Sequence, residues 1–492
     1  MRRLPLLLLA ALCWSCVGDA GSSSGGVPIP APGAEPVAAA EAAPDASPDA
    51  EPLQPAPASG GQQASGQIPA PDARPVFERP EHVRALYLNA WAAGSTKRMD
   101  QMIEVARRTE INSFVIDIKD ASGFVSHRTG VPVAKAIGAT GEIRIRDLPG
   151  LLKKLEAAGI YPIARIVIVR DPILAKARPA LAVQDSSGGA WVDGKGIIWM
   201  NIANRDLWDY ELDLAEEVVE LGFPEIQWDY VRFPDAPRGE MAHARFPGTN
   251  GRAKEEVVRA FLEYADQRLD SLGLDVTHTA DVFGITTSTV DVGIGQVWER
   301  FIDRVDYALP MVYPSHYYRG SFGYDRPNSY PYEIVRAALE RAMERSQSVP
   351  GAGKIRPYLQ DFSLGQPAYG APEVRAQIQA TYDAGVEDWV LWNAGSHYSE
   401  DALQPEDGWK EEPTLRIGNR LVPMSRRFEA LKAPAAAAPA PKREESRPAA
   451  PPKREEPRPE PAAAPTERTL PRVLDADSLR RWIDSVNSAR DR

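Results

Sequence analysis

Between about residues 80 and 432, short apolar runs rich in β-branched residues alternate with longer amphipathic segments. Eight runs have the length and composition of buried strands, and they span 83–89, 113–118, 161–169, 225–231, 275–283, 305–313, 355–361 and 387–393. Segments with a helical repeat separate them, for example at 99–108, 148–158, 207–221, 253–272, 332–345 and 372–384. Strands that alternate with helices predict a parallel sheet covered by helices.

The number of predicted strands favours closure of this sheet into an α/β fold of the (β/α)8 or TIM-barrel type. A domain of about 350 residues is within the usual size of that fold when its loops carry insertions. The alternative is an open doubly wound sheet, whose first strand commonly leads into a Gly-x-Gly-x-x-Gly turn. Here Asn89 is followed by Trp91 and Gly94 without that motif, so the barrel is the preferred prediction.

In such a barrel the active site lies at the carboxyl ends of the strands. The residues that end the predicted strands, in chain order, are Tyr87 and Asn89; Asp117, Lys119 and Asp120; Arg165, Arg170 and Asp171; Asp229, Tyr230 and Arg232; His278 and Asp281; Tyr313, Ser315 and His316; Gln360 and Asp361; Trp392 and Asn393. All of them are polar or aromatic. Carboxylates from the second, fourth, fifth and seventh strands are therefore expected to meet on one rim.

Asp229 and Asp281 are the main catalytic candidates. Asp117 is the third candidate, for the role of either one. Asp229 lies in the apolar segment 225–234 and Asp281 in the segment 279–283, where a carboxylate without a partner would be costly. An acidic residue just after a strand is also a common helix N-cap, which is the alternative interpretation of each carboxylate.

Paired carboxylates suit glycoside hydrolysis, in which one group protonates the leaving oxygen and the other attacks the anomeric carbon or activates water. We assign Asp229 as nucleophile or base and Asp281 as acid. Lys119, Arg165 and Arg232 are candidate partners, since a nearby cation lowers the pKa of a carboxyl group and keeps it ionised.

Aromatic residues at strand ends and in the following loops can stack on the apolar faces of sugars. They are Trp91, Trp191, Trp199, Trp228, Trp392, Tyr313, Tyr317 and Tyr318. The candidate substrate-binding residues are Asp120, Lys119, Tyr230, Arg232, Tyr313, His316, Gln360, Asp361, Trp392, Asn393 and Trp91. The long segment 171–204, which holds several glycines, is expected to wall a groove.

Other hydrolytic chemistries have weaker support. The histidines are His82, His127, His243, His278, His316 and His397. They form no His-x-His or His-Glu-x-x-His pattern, and a metal site built from His278, Asp281 and His316 is the alternative. Otherwise no metal and no cofactor is expected. Neither a Gly-x-Ser-x-Gly elbow nor a Walker-type motif occurs, which argues against acyl transfer through serine and against nucleotide hydrolysis.

Residues 1–16 have the pattern of an export signal. Two arginines precede an apolar run at 4–12 that is too short for a mature transmembrane helix. Cys13 and Cys16 lie at the end of this signal, so the mature domain is expected to lack disulfides and thiol nucleophiles. A lipid anchor at Cys16 and an ordinary secretory signal both fit. We expect an exported protein in the cell envelope, in the periplasm or on the outer surface.

The distribution of proline distinguishes the domain from its flanking segments, since 24 of the 45 prolines lie in 17–80 and 433–471. Segment 17–80 is rich in Pro, Ala and Gly, and 433–471 is a Pro/Lys/Arg/Glu linker. Both have too few large apolar groups to fold and are predicted to be disordered tethers. At 472–492 apolar residues recur with a helical repeat. This predicts a short amphipathic helix that packs on a protein partner or on its own domain.

The net charge of −11 argues against a nucleic-acid partner, since neutralising phosphates requires a surplus of Lys and Arg. The same argument counts against a heparin-like partner.

Five short segments carry a resemblance to a known family. They are 114–120, 164–167, 227–234, 311–317 and 391–393. Together they resemble a bacterial family catalogued as a putative glycoside hydrolase domain, over about residues 82–430. The resemblance implies a (β/α)8 barrel and glycosidase activity. The α-amylase-like enzymes have an Arg two residues before the strand-four aspartate, whereas Gln227 stands here, and the Asn-Glu ending of other barrel glycosidases is missing.

The sequence therefore predicts an exported, tethered glycosidase that cleaves an envelope or extracellular polysaccharide by carboxylate acid/base catalysis. A barrel that binds cell-wall glycan without cleaving it is the first alternative, since the same aromatic groove serves both roles. Metal-assisted deacetylation of a polysaccharide is the second.

Overall fold

The computed structural model describes residues 74–288 and 292–432. The predicted export signal (1–16), nearly all of the N-terminal tether (17–80), the second linker (433–471) and the terminal helix (472–492) lie outside those ranges and stay predictions. Within the described ranges, no helix combines the length and the apolar character needed to cross a bilayer.

A closed parallel sheet forms the centre of the domain. Its segments are β1 (Arg84–Leu88), β2 (Ser113–Lys119), β3 (Tyr161–Val167), β4 (Glu225–Asp229), β5 (Thr277–Phe283), β6 (Tyr307–Met311), β7 (Lys354–Ile355), β8 (Tyr358–Gln360) and β9 (Trp389–Trp392). Parallel neighbours follow the chain order, and pairing of β9 with β1 closes the cylinder. Segments β7 and β8 occupy one position, so the barrel has eight strands. Pro357 lies between them, and its missing N–H accounts for the interruption. The predicted (β/α)8 barrel is confirmed.

Helices cover the outside of the sheet. They are α1 (Ala90–Gly94), α2 (Thr96–Arg108), α3 (Pro132–Ile137), α4 (Leu148–Ala157), α5 (Pro172–Ala177), α6 (Arg205–Leu221), α7 (Arg238–Met241), α8 (Lys254–Asp270), α9 (Trp298–Phe301), α10 (Pro331–Ser346), α11 (Ala371–Asp383) and α12 (Arg427–Lys432). The six helices predicted from the amphipathic repeat are α2, α4, α6, α8, α10 and α11.

Helix α6 shows how the sequence sets these elements. The side chain of Asn204 caps its first turn, and Leu207, Leu214 and Val218 are buried on the face towards the sheet. Gly222 follows the last turn with φ 123°, a conformation that favours glycine. Side-chain caps of the same kind begin α2, at Ser95, and α4, at Asp147.

Side chains alternate between the two faces of each strand, which decides what reaches the barrel interior. On β4, Ile226 and Trp228 belong to the apolar layer between sheet and helices. Gln227 and Asp229 therefore face inward. The interior itself is packed with apolar and aromatic groups, among them Tyr87, Val115, Ile163, Leu309, Tyr358 and Val390.

The amino-terminal end of the barrel is filled by a charged and aromatic network. Arg356 is fully buried, and its Nη1 donates to Glu225 Oε1 at 2.5 Å. Its guanidinium carbon lies 4.3 Å from the ring centroid of Tyr307, and its Nε lies 3.8 Å from Asp388 Oδ1. This end is a packed floor.

A small hairpin, β10 (Thr414–Ile417) and β11 (Arg420–Pro423), packs against α10 and α11. Arg416 donates to Glu373 of α11 at 2.9 Å, and the N–H of Gly418 donates to Glu333 of α10 at 2.8 Å. These bonds make the hairpin part of the same folded unit.

Candidate active site

Arg165 of β3 joins three aspartates at the carboxyl end of the barrel. Its Nη1 donates to Asp117 Oδ1 at 2.5 Å, and its Nη2 donates to Asp229 Oδ2. Its Nε lies 3.8 Å from Asp281 Oδ2. All four side chains are buried. The three carboxylates predicted as catalytic candidates are thus brought together, from β2, β4 and β5, by a residue predicted to be their partner.

The guanidinium of Arg165 stays charged in this cluster. Burial alone would lower its pKa, but the charges of Asp117 and Asp229 outweigh burial and raise the pKa well above its usual value. Arg165 is therefore a permanent cation between the carboxylates.

Asp229 is held by donors on both carboxyl oxygens. Arg165 bonds to Oδ2, and the N–H of Tyr230 donates to Oδ1 at 2.6 Å. Tyr230 adopts φ 56°, in the left-handed region that costs a non-glycine residue on the order of 1 kcal/mol. That turn keeps the N–H aimed at the preceding side chain. Both oxygens of Asp229 therefore already accept a hydrogen bond, which fixes the orientation of its carboxyl group.

Asp281 has the opposite environment. Burial, and next the neighbouring charge of Asp229, raise the pKa of Asp281 well above its ordinary value. Gln227 Nε2 donates to Oδ2 at 3.1 Å, while Oδ1 is buried and has no hydrogen-bond donor among the described residues. The same Gln227 nitrogen donates to the hydroxyl of Tyr358 at 2.8 Å. Asp281 is therefore suited to hold a proton.

Asp117 faces the cluster from β2. The hydroxyl of Tyr87 donates to Asp117 Oδ2 at 2.5 Å, opposite the bond from Arg165. Burial raises the pKa of Asp117, and the charge of Arg165 opposes that shift. Because both oxygens are occupied, Asp117 is placed to hold Arg165 and Tyr87 in position.

Aromatic rings wall the cluster on the side of β1 and β9. Tyr87 stacks on Trp392 with ring centroids 3.8 Å apart, and Tyr358 meets Trp392 edge-on at 5.8 Å. The guanidinium carbon of Arg165 lies 5.1 Å from the Trp392 centroid. Tyr313 is buried close to the carboxylates. Its pKa is raised by burial first, then by Tyr358, and then by the charges of Asp281 and Asp229.

Asp361 and Asn393 hold the loop after β9. Asp361 accepts from the N–H and the hydroxyl of Ser399, both at 2.8 Å. Asn393 Nδ2 donates to the carbonyl of Asp361 at 2.6 Å, and its Oδ1 accepts from Gly395 at 2.9 Å. Burial raises the pKa of Asp361 to about 6. The hydrogen bonds of both side chains thus hold this loop in place.

Trp91 and Asp120 form an outer part of the rim. Trp91 is 60% exposed, and the guanidinium carbon of Arg144 lies 5.3 Å from its ring. Arg144 donates in turn to Asp120, which also accepts from Ser122. This arrangement presents an open indole face beside a polar, hydrogen-bonded edge.

Arg232 and Tyr230 lie on the side of β4. Arg232 is buried, with its guanidinium carbon 4.7 Å from the Tyr230 centroid and 5.1 Å from that of Trp199. Its Nη1 lies 3.3 Å from Asp235 Oδ1. Arg232 thus faces Asp235 and the rings, whereas Arg165 is the cation at the carboxylates.

The structure does not bring Lys119 to the cluster. The pairing of β2 with β3 is irregular between Asp117 and Lys119, and such a bulge redirects the side chain that follows it. Lys119 Nζ is fully buried in the layer towards α6, 2.9 Å from Glu211 Oε1 and 3.2 Å from Asp171 Oδ2. Burial raises the pKa of Glu211 to about 8, although the charge of Lys119 opposes that shift. Substrate contact by Lys119 would require this buried triad to open.

The alternative metal ligands also lie apart. His278 faces the helices, with its Nδ1 3.8 Å from Asp266 Oδ1 and its ring against Trp228. Asp281, three residues later on the same strand, faces the interior. Across 74–288 and 292–432, no group of three or more His, Cys, Asp or Glu side chains is arranged to hold a metal ion.

Several of the predicted aromatic residues are core residues. Trp191, Trp199 and Tyr317 are buried, and Trp228 packs edge-on against Phe261 of α8 in the helix layer. Of the predicted set, those that are exposed are Trp91, at 60%, and Tyr318, at 37%. Contact with a sugar face is open to these two without rearrangement.

The family model described as "Putative glycosyl hydrolase domain" matches residues 85–398. The chain belongs to this family. The match spans the barrel from β1 to the loop after β9 and includes all three aspartates. No curated protein matches the chain.

Solved structures of similar proteins were also found. A hypothetical protein from Ruminiclostridium thermocellum is 37% identical, over 37% of this chain and 92% of that one, with a TM-score of 0.35. The glycoside hydrolase domain of PgaB from Bordetella bronchiseptica is 12% identical, over 64% and 95% of the two chains, with a TM-score of 0.47. The spore cortex-lytic enzyme SleL of Bacillus megaterium is 13% identical, over 66% and 74%, with a TM-score of 0.38.

Gln227 and Tyr358 of this glycosyl hydrolase domain lie at the carboxylate cluster and were not among the predicted site residues. Gln227 bonds to Asp281, and Tyr358 bonds to Gln227. The alternation along β4 contained the signal for Gln227, since residues 225, 227 and 229 share the inward face. Tyr358 gave no signal of its own, because it precedes the strand end that marked the other candidates.

Proposed function

We propose that the domain hydrolyses glycosidic bonds of a polysaccharide with Asp229 and Asp281 as the catalytic pair. The observation that carries this proposal is the contrast between two adjacent carboxyl groups. Asp229 receives donors from Arg165 and Tyr230, while burial and the charge of Asp229 raise the pKa of Asp281. Pairs of carboxyl groups whose environments separate their pKa values are typical of acid and nucleophile assignments.

The proximity of the two groups favours a double displacement. Inverting enzymes leave roughly 6.5 to 9.5 Å between the carboxyl groups for a water molecule. Asp229 and Asp281 lie on neighbouring strands and share Arg165, with Nη2 bonded to Asp229 and Nε 3.8 Å from Asp281. In the first step Asp281 gives its proton to the leaving oxygen as Asp229 attacks the anomeric carbon. In the second step ionised Asp281 takes a proton from water, which attacks the same carbon and releases Asp229.

Arg165 and Asp117 have positioning roles in this proposal. Arg165 donates to Asp229 and fixes its orientation, and Asp117 holds Arg165 from the other side. With Asp281 protonated, two carboxylates and one guanidinium leave one negative charge in the cluster. That charge favours the positive charge that develops at the anomeric carbon in the transition state.

The polysaccharide is proposed to lie in the cell envelope or outside the cell. The support is the sequence pattern of an export signal at 1–16, which fits a lipid anchor at Cys16 as well as ordinary secretion, and the predicted proline-rich tether that follows. The exposed indole of Trp91 at the rim is suited to stack on a sugar of a longer chain.

The test is release of reducing ends from a panel of bacterial and plant polysaccharides by the full-length protein. Wild type is expected to act on at least one member, and Asp229→Asn to lose release while still binding that polymer. Asp325→Asn is the matched control, since Asp325 is an exposed aspartate paired with Arg319 on the surface. Binding without release by wild type would favour the glycan-binding alternative. Loss of acetate release on adding a chelator would favour the deacetylase.

A further inference from the structure

Gln360, Ser315 and His316 form a hydrogen-bonded chain beside the carboxylate cluster. Ser315 Oγ lies 2.9 Å from Gln360 Oε1 and 3.0 Å from His316 Nδ1. Gln360 ends β8 and is fully buried, while Ser315 and His316 follow β6. The chain therefore runs from the buried wall of the barrel to its rim.

The orientation of the Gln360 amide is fixed by two further bonds. Its Nε2 donates to the carbonyl of Phe362 at 2.9 Å, and its Oε1 accepts from the N–H of Ser315 at 3.1 Å. If the amide were reversed, its NH₂ group would face the N–H of Ser315, and its oxygen would face the carbonyl of Phe362. Gln377 of α11 holds the backbone of Gln360 on both sides, at 2.9 and 2.7 Å.

This orientation determines where the protons lie. An amide oxygen only accepts, so the hydroxyl of Ser315 donates to Gln360 Oε1. Ser315 Oγ is then left as an acceptor for His316, and the imidazole proton lies on Nδ1. Burial lowers the pKa of His316 to about 4, so the ring is neutral above that pH. A neutral ring with its proton on Nδ1 has a lone pair on Nε2.

The Nε2 atom of His316 is open to a ligand. No described residue bonds to it, and it is not one of the buried atoms left without a partner; His316 itself is half-buried. Its ring meets Tyr313 and Phe362 edge-on, with centroids 5.2 and 6.0 Å away. Tyr313 in turn lies near the catalytic pair. The acceptor is thus one aromatic ring away from the carboxylates.

We propose that His316 Nε2 accepts a hydrogen bond from a hydroxyl group of the sugar bound beside the catalytic pair, and that Ser315 and Gln360 are positioning residues that fix the tautomer for this contact. The inference rests on the proposed glycosidase function and specifies one feature of its substrate. The sugar must carry a free hydroxyl at that position, because an esterified or etherified oxygen has no proton to donate.

The first test compares two variants on the polysaccharide that wild type cleaves fastest in the panel. His316→Phe keeps a flat ring against Tyr313 and Phe362 but removes the acceptor, whereas His316→Gln keeps an acceptor and removes the ring. We expect His316→Phe to raise KM about ten-fold, the value of one hydrogen bond, with kcat within about two-fold. His316→Gln should stay closer to wild type. The reverse order, or equal losses, would show a packing role and overturn the proposal.

The second test determines the tautomer of His316 in the absence of substrate. In the full-length protein with 15N-labelled histidine, the signal that disappears in His316→Gln is expected to show Nδ1 protonated and Nε2 bare. Ser315→Ala should give a mixture of tautomers and raise KM about three-fold, and Ser315→Thr, which keeps the hydroxyl, should restore both. A protonated Nε2 in wild type refutes this inference alone. If wild type cleaves no polysaccharide, the proposed function fails and the contact with a sugar hydroxyl fails with it.

Discussion

Asp229 and Asp281 share one guanidinium unequally, because Arg165 Nη2 donates to Asp229 Oδ2 whereas Arg165 Nε lies 3.8 Å from Asp281 Oδ2. Asp281 Oδ1 has no hydrogen-bond donor among the described residues. Burial and the charge of Asp229 raise the pKa of Asp281. A proton is thereby favoured on Asp281, the residue proposed as the acid.

Substitution of the acid is expected to depend on the leaving group. Asp281→Asn should lower kcat on polysaccharide by about 10²- to 10⁴-fold, the usual contribution of general acid catalysis. An aryl glycoside of the same sugar, with an acidic phenol as leaving group, needs little protonation and should be cleaved at a much smaller loss. Asp229→Asn should fail on both substrates. Equal losses of kcat on the two substrates in Asp281→Asn would contradict the assignment.

The pH dependence should show the raised pKa of Asp281. The reaction needs this group protonated, so kcat/KM falls as the pH rises through its pKa, on a limb well above the ordinary carboxyl range. Asp117→Asn removes a negative charge beside Arg165, which strengthens the cation and should move that limb to lower pH. Asp325→Asn is the control and should leave the limb in place. An unshifted limb in Asp117→Asn would count against electrical coupling through Arg165.

Stability should fall with rising pH because of Glu211. Its folded pKa of about 8 exceeds the ordinary value of 4.5, so between these values the folded state holds a proton that the unfolded state has lost. The free energy of unfolding therefore decreases through this window, by at most about 1.4 kcal/mol per pH unit for one proton. Glu211→Gln mimics the protonated form and should flatten the slope. Denaturant unfolding of wild type and Glu211→Gln between pH 5 and 8 measures this pH dependence of the free energy of unfolding. Identical slopes for the two proteins would refute the prediction.

Lys119→Met should destabilise the protein by about 3 to 5 kcal/mol, because two buried carboxyl groups lose their cation. The change should appear in denaturant unfolding rather than in KM, since Lys119 lies in the helix layer. Lys97→Met is the control, because Lys97 is exposed on α2. A rise in KM with little loss of stability would instead support the sequence-based prediction that Lys119 binds substrate.

Trp91→Ala should raise KM for the polysaccharide about ten-fold, since an exposed indole that stacks on a sugar contributes on the order of 1 kcal/mol. Phe428→Ala is a matched control, because Phe428 is an aromatic residue that is 45% exposed on α12, outside the predicted substrate-binding set. Neither change should lower the free energy of unfolding by more than about 0.5 kcal/mol. Equal KM values for the two variants would remove Trp91 from the substrate-binding set.

The strand pattern was sufficient to predict the barrel and the convergence of Asp117, Asp229 and Asp281. A period of two decides the face of each strand residue, and eight parallel strands bring their carboxyl ends to one rim. Lys119 shows the limit of that rule. Counting by two from Asp117 sends it inward, but the irregular pairing after Asp117 turns it to α6, and no local feature of the sequence marks that bulge.

Contacts between distant strands were the other limit. Arg165 was predicted as one of three cations near the carboxylates, and its central place depends on bonds to β2 and β4 that only the closed barrel creates. Aromatic residues in loops were equally ambiguous. Trp199 and Trp91 both follow strands, yet one is buried and the other is 60% exposed, because loop packing decides exposure and the loop sequence does not encode it locally.

The packed floor formed by Arg356, Glu225 and Tyr307 limits the path of a polymer. A chain cannot thread through the barrel, because these side chains fill its amino-terminal end. A polysaccharide must therefore cross the mouth sideways, and both fragments must leave from the face on which the polymer landed. Cleavage within a long chain then requires a trough open at two sides of the rim, whereas trimming from a chain end requires only one.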